Sequence, residues 1–277
     1  MRAKSSGKVT SRNTPLWKAK ACPSPDATLF DGRPGAEFRD CPDCPEMVTV
    51  PPASYWVGPA LYGSTRHFEV TFPKAFAVGK YEVTFDEWDA CVADGGCKGH
   101  KPGDRGWGRG RQPVIYVDWH QAQSYVEWLS QKTGGDYRLL SESEWEYVAR
   151  AGACTKFWWG DEAGTGNAVC KDCGSEWDGK SPAPVGQSGP NAFGLYDTAG
   201  NVSEWVEDCP SSSVLPPEDG SAVTPDMLKR PQDCTARKMR GGSWRQPAEQ
   251  IQPESTETGS PIYPNTFTGF RVAKTLP

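Results

Sequence analysis

GPNAFGLYDTAGNVSEWVED, running from Gly189 to Asp208, is the stretch whose reading decides the fold. Turn formers (Pro190, Asn191, Gly194, Gly200, Asn201) are interleaved with large apolar residues (Phe193, Leu195, Tyr196, Trp205). That mixture describes ordered coil pinned by buried anchors. The oxygen donors are Asp197, Asn201, Ser203, Glu204, Glu207 and Asp208. Asp197 and Glu204 stand seven apart with Gly200 between them, so the chain can fold back and bring both carboxylates and intervening carbonyls together. Hard cations such as calcium take oxygen ligands of this mixed kind. The same spacing also suits a loop whose acids are simply solvated.

On either side of this stretch, three helices are marked by their starts. Thr84-Phe-Asp-Glu87, Asp118-Trp-His-Gln121 and Ser141-Glu-Ser-Glu144 each place an oxygen donor at the N-cap and Glu or Gln three residues on. In the second helix Ala122, Tyr125, Val126 and Leu129 recur at helical spacing, and Gly134 supplies the stop. In the third, Trp145, Val148 and Ala149 form the stripe and Gly152 the stop. Short apolar or alternating runs at Met47–Val50, Tyr55–Val57, Phe68–Phe72 and Phe76–Val78 predict antiparallel strands. Further short strands are expected near Pro184–Gln187, Met239–Gly242 and Phe270–Ala273. Residues 1–36 are polar, proline-bearing and without periodicity, and are expected to be a disordered basic tail or linker, leaving one α+β domain over 37–277.

Composition agrees with a coil-rich domain. In 277 residues there are 30 glycines, 25 prolines and 12 tryptophans, a balance in which turns dominate and aromatic anchors hold them. A net charge of -5 argues against nucleic acid as a partner. No run approaches the ~20 apolar residues that span a bilayer, so no membrane span is expected. The N-terminus lacks the apolar core of a signal peptide, and as written the chain is expected in the cytoplasm. The glycine-rich run Gly103–Pro113 lacks the GxxxxGK[ST] pattern of a phosphate cradle.

The ten cysteines leave three readings open. Cys41/Cys44 and Cys170/Cys173 are CxxC pairs of the kind that can hold zinc. Cys91 and Cys97 bracket a tight loop that a disulfide would close, and Cys209 and Cys234 would staple a long one. Thiol redox chemistry is the third reading. Cys22 and Cys154 are left over from these pairs.

Five ordered motifs, YEVTFDEW (Tyr81–Trp88), YRLLSESEWEYVARAG (Tyr137–Gly152), PNAFGLYDTAGNVSEW (Pro190–Trp205), RGGSW (Arg240–Trp244) and GFRVAK (Gly269–Lys274), resemble the formylglycine-generating enzyme (sulfatase-modifying factor) family. The resemblance implies a C-type-lectin-like architecture, with a small antiparallel sheet, few helices and long coil stabilised by calcium. It implies that the side chains of Asp197 and Glu204 and the backbone oxygens of Gly200 and Val202 are calcium ligands. Asn167 fits the first ligand of a second family calcium site, whose acidic partner is offset by a residue at Asp178.

The catalytic pattern does not carry over. Enzymes of that family bind copper through cysteines two and seven residues past the GGSW tryptophan, where this chain has Gln246 and Ile251. Amide and alkyl groups do not replace a soft thiolate pair. The intervening segment Arg245–Thr268 is polar, chemically mixed and free of lysine. It resembles the surface that is varied in the variable proteins of diversity-generating retroelements. That resemblance makes Arg245, Gln246, Glu249, Gln250, Gln252, Glu254, Tyr263, Asn265 and Phe267 candidate contacts to a protein or small-molecule ligand. An oxidase or maturation factor of the superfamily, and a purely structural module, are the other two expectations.

Overall fold

The computed structural model describes residues 35–57, 68–211 and 213–277. The expected disordered tail, 1–36, lies outside the described residues except for its last two positions. Among the described residues, eleven strands and three α-helices are set in long coil, the α+β arrangement the motifs imply.

The first sheet carries the order β1 (Glu37–Phe38), β2 (Met47–Val50), β5 (Phe76–Gly79), β11 (Val272–Thr275), β6 (Asp136–Leu139), with every neighbouring pair antiparallel. The C-terminal strand is therefore interior, with Ala273 opposite Val78 on one side and Arg138 on the other. Val48, Val78 and Ala273 are fully buried on one face and Met47, Ala77 and Val272 on the other, as expected of short apolar strands covered on both faces. β3 (Ala53–Val57) and β4 (Phe68–Phe72) form a separate antiparallel pair. The second sheet has the order β10 (Thr268–Gly269), β7 (Ser203–Trp205), β8 (Arg237–Arg240), β9 (Thr256–Gly259), in which only β10 and β7 run parallel.

All three helices start where the capping pattern places them. In α1 (Phe85–Ala93), α2 (Trp119–Thr133) and α3 (Glu142–Arg150) the reciprocal cap is complete at Thr84, Asp118 and Ser141. Gly134 ends α2 in the left-handed conformation at φ 71°. In α3 the left-handed stop is Ala151, at φ 44°, one residue before the glycine expected to supply it. This helix also departs from a simple apolar stripe. Glu142, Glu144 and Glu146 are buried along with Trp145, Val148 and Ala149, because the helix is covered on its acidic side too.

Among the described residues the two larger apolar clusters make up most of the core. One gathers Trp88, Tyr125, Trp205 and Phe270, with Trp88 stacked on Tyr125 at 5.8 Å and set edge-on to Phe270 at 6.2 Å. The other gathers Tyr55, Phe72, Trp145, Tyr147 and Phe193.

Several expected strand positions shift. Pro184–Gln187 is coil: Val185 N donates to Arg111 O and Gly186 N to Asp197 Oδ2, so separate loops satisfy its backbone in place of a ladder. The strand expected at Met239–Gly242 is Arg237–Arg240, ended by Gly241 and Gly242 at φ 86° and 64°. The one expected at Phe270–Ala273 splits into β10 and β11, with Arg271 between them turned into the interior. β9, TETG, has no apolar alternation to announce it and is a strand only because β8 offers it a ladder.

Candidate functional site

The decisive stretch does bring its carboxylates into the interior, where they meet partners from distant segments. Glu204, on β7, is fully buried and its two oxygens accept from Arg271 Nε at 2.9 and 2.7 Å. Oε1 also accepts from Arg271 Nη2 at 2.6 Å, and Oε2 from Trp145 Nε1 at 2.6 Å. The same guanidinium donates to the carbonyls of Gly79 at 3.1 Å and Tyr196 at 2.9 Å. Glu82, also fully buried, takes the Val202 amide at 3.0 Å and Asn201 Nδ2 at 2.6 Å, which fixes the turn after Gly200. Asp197, at φ 55°, accepts from Gly186 N at 2.7 Å. Gly200 lies so close to the chain that an added Cβ would sit 2.2 Å from Val169 O.

Three buried carboxylates thus surround one buried guanidinium. Burial pushes the Asp197 carboxyl up to about 6, against the opposing pull of the Gly186 amide. Burial, reinforced by the charges of Asp197 and Glu204, holds the Glu82 carboxyl well above the usual range. Asp197, Glu204 and the carbonyls of Gly200 and Val202 are oxygen donors of the kind a hard divalent cation takes, while both Glu204 oxygens are already engaged by Arg271 and Trp145. Glu204 would serve such an ion by sharing its oxygens with Arg271. Asn167 and Asp178 are not brought together: Asn167 Nδ2 donates to Ala163 O at 3.0 Å, and Asp178 caps its own turn through Gly174 N and Ser175 Oγ.

The C-terminal segment is held to this frame by a second charge network. Arg240, fully buried on β8, donates to Glu146 Oε2 at 2.8 Å and to the carbonyls of Pro253, Glu254 and Ser255 at 2.6, 3.1 and 3.1 Å. Lys238 pairs with Glu142. Glu254 pairs with Arg150 at 2.8 Å, so this candidate contact is committed to the frame.

The remaining candidate residues fall into two groups. Arg245 is exposed and its guanidinium stacks 4.3 Å above the Phe267 ring. Asn265 Oδ1 accepts from Phe267 N at 2.9 Å, and Asn265 O accepts from Tyr116 N at 2.8 Å. In the second group Glu249 and Gln250 are exposed on a single turn of 3-10 helix, followed by half-buried Gln252. Gln246 is braced by Ser243 Oγ at 3.0 Å and by Glu257, which accepts from its amide at 2.6 Å. Tyr263 is 70% exposed.

Sequence reasoning missed the other wall of this surface. Trp107, from the glycine-rich run Gly103–Pro113, meets Trp244 edge to face at 5.5 Å, and Arg105 lies 6.0 Å over the Trp107 ring. Trp244 Nε1 donates to Thr266 O at 3.3 Å. Tyr116, which holds Asn265, is itself left-handed at φ 56°. Such a conformation is costly for a bulky residue and is kept only when neighbours impose it. Here His100 Nε2 bonds to Tyr116 O at 3.2 Å on the other side. A lone tryptophan among glycines and arginines was the only signal available in the sequence.

Every described cysteine is disulfide-bonded. The bridges are Cys41–Cys44, Cys91–Cys97, Cys170–Cys173 and Cys209–Cys234, and Cys154 is bonded as well. Of the three readings open in the sequence, disulfides that steady loops are the one realised. Ile251 is fully buried against Cys170 and Cys173, so neither it nor the braced amide of Gln246 offers a soft ligand. A cleft of about 400 Å³ elsewhere includes Glu144, Glu207 and Asp219 in its lining. These acids already accept from Arg138, Gln123 and Ser221.

The chain belongs to the sulfatase-modifying factor enzyme 1-like family, whose model matches residues 35–276. It is 36% identical over 150 residues to the formylglycine-generating enzyme of Streptomyces coelicolor, a match covering 50% of this chain and 43% of that enzyme. Across the first curated relatives the matched share of their own length runs from 25% to 58%. Among solved structures, PvdO from Pseudomonas aeruginosa is similar at 34% identity and a TM-score of 0.73, over 88% of this chain and 99% of that one. The Treponema denticola variable protein 1 shares the fold, with a TM-score of 0.65 at 22% identity over 86% of this chain and 98% of that one. The fold is thus the C-type-lectin-like one that the five motifs imply.

Proposed function

We propose that this chain is a non-catalytic, ligand-binding member of its family, which presents the surface around Arg245–Phe267 on a rigid, calcium-stabilised scaffold. The observation that carries this reading is the patch built by three separate segments: Arg105 and Trp107, Trp244 and Arg245, Asn265 and Phe267. Aromatic rings and guanidinium groups are the side chains that dominate binding hot spots. Neither Arg105 nor Arg245 has an ion-pair partner among the described residues. A ligand with a flat apolar body and a carboxylate or phosphate suits that combination. The frame beneath is tied by buried charges, and permissive loops on a rigid scaffold are the usual platform for binding. The disulfides favour folding in an oxidising compartment over the cytoplasm expected from the N-terminus as written.

A random peptide library panned on the wild-type protein tests this. Acidic, aromatic peptides should be enriched. Their affinity should fall at least about tenfold on Trp107→Ser or Arg245→Glu, the loss expected of hot-spot truncation. Enriched peptides that bind both variants as well as wild type, or no enrichment at all, would refute it. A retroelement-diversified version of the reading further requires a nearby reverse transcriptase and a near-identical second copy of the 3′ coding segment.

The identity to a formylglycine-generating enzyme favours a second reading, a metal-dependent oxidase or maturation factor. Stoichiometric copper or iron in the purified protein, with oxygen consumed in the presence of a thiol peptide, would establish it. Calcium alone and no turnover would end it.

A further inference from the structure

Beneath the segment that carries Gln246 and Ile251 lies the turn Cys170-Lys-Asp-Cys173. Among the described residues it is the one place where three metal-ligating atoms, Sγ of Cys170, a carboxylate oxygen of Asp172 and Sγ of Cys173, all lie within 4.8 Å of one another. The two sulfurs are buried and Asp172 is exposed at the mouth. Asp172 Oδ1 points inward, 3.2 Å from Cys170 Sγ. The other CxxC pair, Cys41–Cys44, has no such third ligand among the described residues.

We propose that this turn is a redox-gated zinc site: closed as a disulfide, and open to one zinc ion when the bridge is reduced. Two thiolates and a carboxylate are ligands zinc accepts, at ~2.3 Å for sulfur and ~2.0–2.2 Å for oxygen. Tetrahedral coordination then places the sulfurs ~3.8 Å apart, so they part from bonding distance once the bridge is reduced. The fourth position falls on the exposed side and goes to water. The carboxylate makes zinc a better match than copper(I), which favours sulfur alone. The chemistry balances in two steps. A dithiol reductant passes two electrons and two protons to the Cys170–Cys173 bond and itself closes to a disulfide. Zinc then displaces the two thiol protons, leaving both sulfurs as bound thiolates.

The site reaches the proposed binding surface through two bonds. Lys171 N donates to Gln246 O at 2.8 Å, and Ala248 N donates to Asp172 Oδ1 at 2.9 Å. Ile251 shares a buried apolar cluster with both cysteines. A zinc ion that recruits Asp172 takes away the acceptor of the Ala248 amide, so metal loading loosens the turn that bears Glu249 and Gln250. Zinc binding itself needs no ligand on that surface, so it stands or falls separately from the binding function.

Opening Cys170–Cys173, a bridge across 3 residues, removes less constraint from the chain than opening Cys209–Cys234 across 25, so the fold should survive it. The test treats the full chain anaerobically with a trialkylphosphine, which takes its oxygen from water as it reduces the bridge. Differential alkylation identifies the opened cysteines, and zinc is then titrated against a chromophoric chelator. Wild-type protein with Cys170 and Cys173 reduced and Cys209–Cys234 intact should bind one zinc more than the oxidised protein. It should also bind one more than Cys170→Ser/Cys173→Ser treated in the same way. Cys41→Ser/Cys44→Ser should keep that equivalent, and Asp172→Asn should weaken it at least about tenfold. Faster hydrogen exchange at the Ala248 amide on zinc addition should report the coupling. Equal zinc binding by Cys170→Ser/Cys173→Ser, or a bridge that opens only when the whole protein unfolds, overturns the proposal.

Discussion

Replacing Arg240 by Met should loosen the surface segment and the core together. The side chain is fully buried and makes ion pairs with Glu146 at 2.8 Å and Glu142 at 3.5 Å, and three bonds to the carbonyls of Pro253, Glu254 and Ser255. Breaking a buried ion pair from one side costs ~3–5 kcal/mol, because the remaining charge is left buried. Glu146 keeps a second cation, Arg150 at 3.0 Å, which argues for the lower end. A loss of ~3 kcal/mol corresponds to a fall of roughly 6–12 °C in Tm for a domain of this size. Urea denaturation and calorimetry measure the global loss. Hydrogen exchange measures the local one, which should concentrate at residues 253–257. Arg240→Lys should recover part of the ion pair without restoring the three carbonyl bonds. A loss below ~1 kcal/mol, or unchanged exchange over 253–257, would show that the network is not what holds the surface.

Three further outcomes follow from buried or bridged groups. Burial, with the charge of Glu142, pushes the Asp208 carboxyl up to about 7 from its ordinary 3.8. The folded state then keeps a proton that the unfolded state has lost, so stability should fall as pH rises from ~4 to ~7 and level off above, and Asp208→Asn should flatten the slope in urea titrations across that window. Opening Cys209–Cys234 by a double Ser substitution should cost ~3.5 kcal/mol from the lost constraint across 25 residues. A much smaller loss in denaturant would mean that the native loop stands without it. For calcium, the Tm rise expected at a hundredfold excess over Kd reflects ~2.7 kcal/mol. Asp197→Ala with Glu204→Ala should abolish it, and an unchanged response would place the ion elsewhere.

How much was legible from sequence differs between local and long-range features. The three capped helices could be read because a capping box is a local pattern whose partners lie three residues apart. The motifs identified the family for the same reason, since each is a contiguous string. The paired identity of the buried acids could not be read. Glu204 was legible as an oxygen donor, but Arg271, 67 residues away, decides what its oxygens do. Glu82 was passed over inside an apolar strand-to-helix turn, because nothing near it in sequence shows that Asn201 and Val202 close on it.

The proposed binding surface divides in the same way. Its C-terminal half was visible as a polar departure between two well-matched motifs, and Arg245, Gln246, Asn265 and Phe267 were identified there. Trp107 and Tyr116 joined it only through tertiary contacts. The cysteines give the sharpest contrast. By itself the sequence determined the helix starts, the glycine turns, the family and the missing soft ligands at Gln246 and Ile251, all properties of residue identity at short range. Only the tertiary structure decided which cysteines close on each other, which carboxylates share Arg271, and that the CxxC turn at Cys170 lies under the segment that binding would use. Those depend on which distant groups burial forces together. A buried charge or polar group must find a partner wherever the fold supplies one.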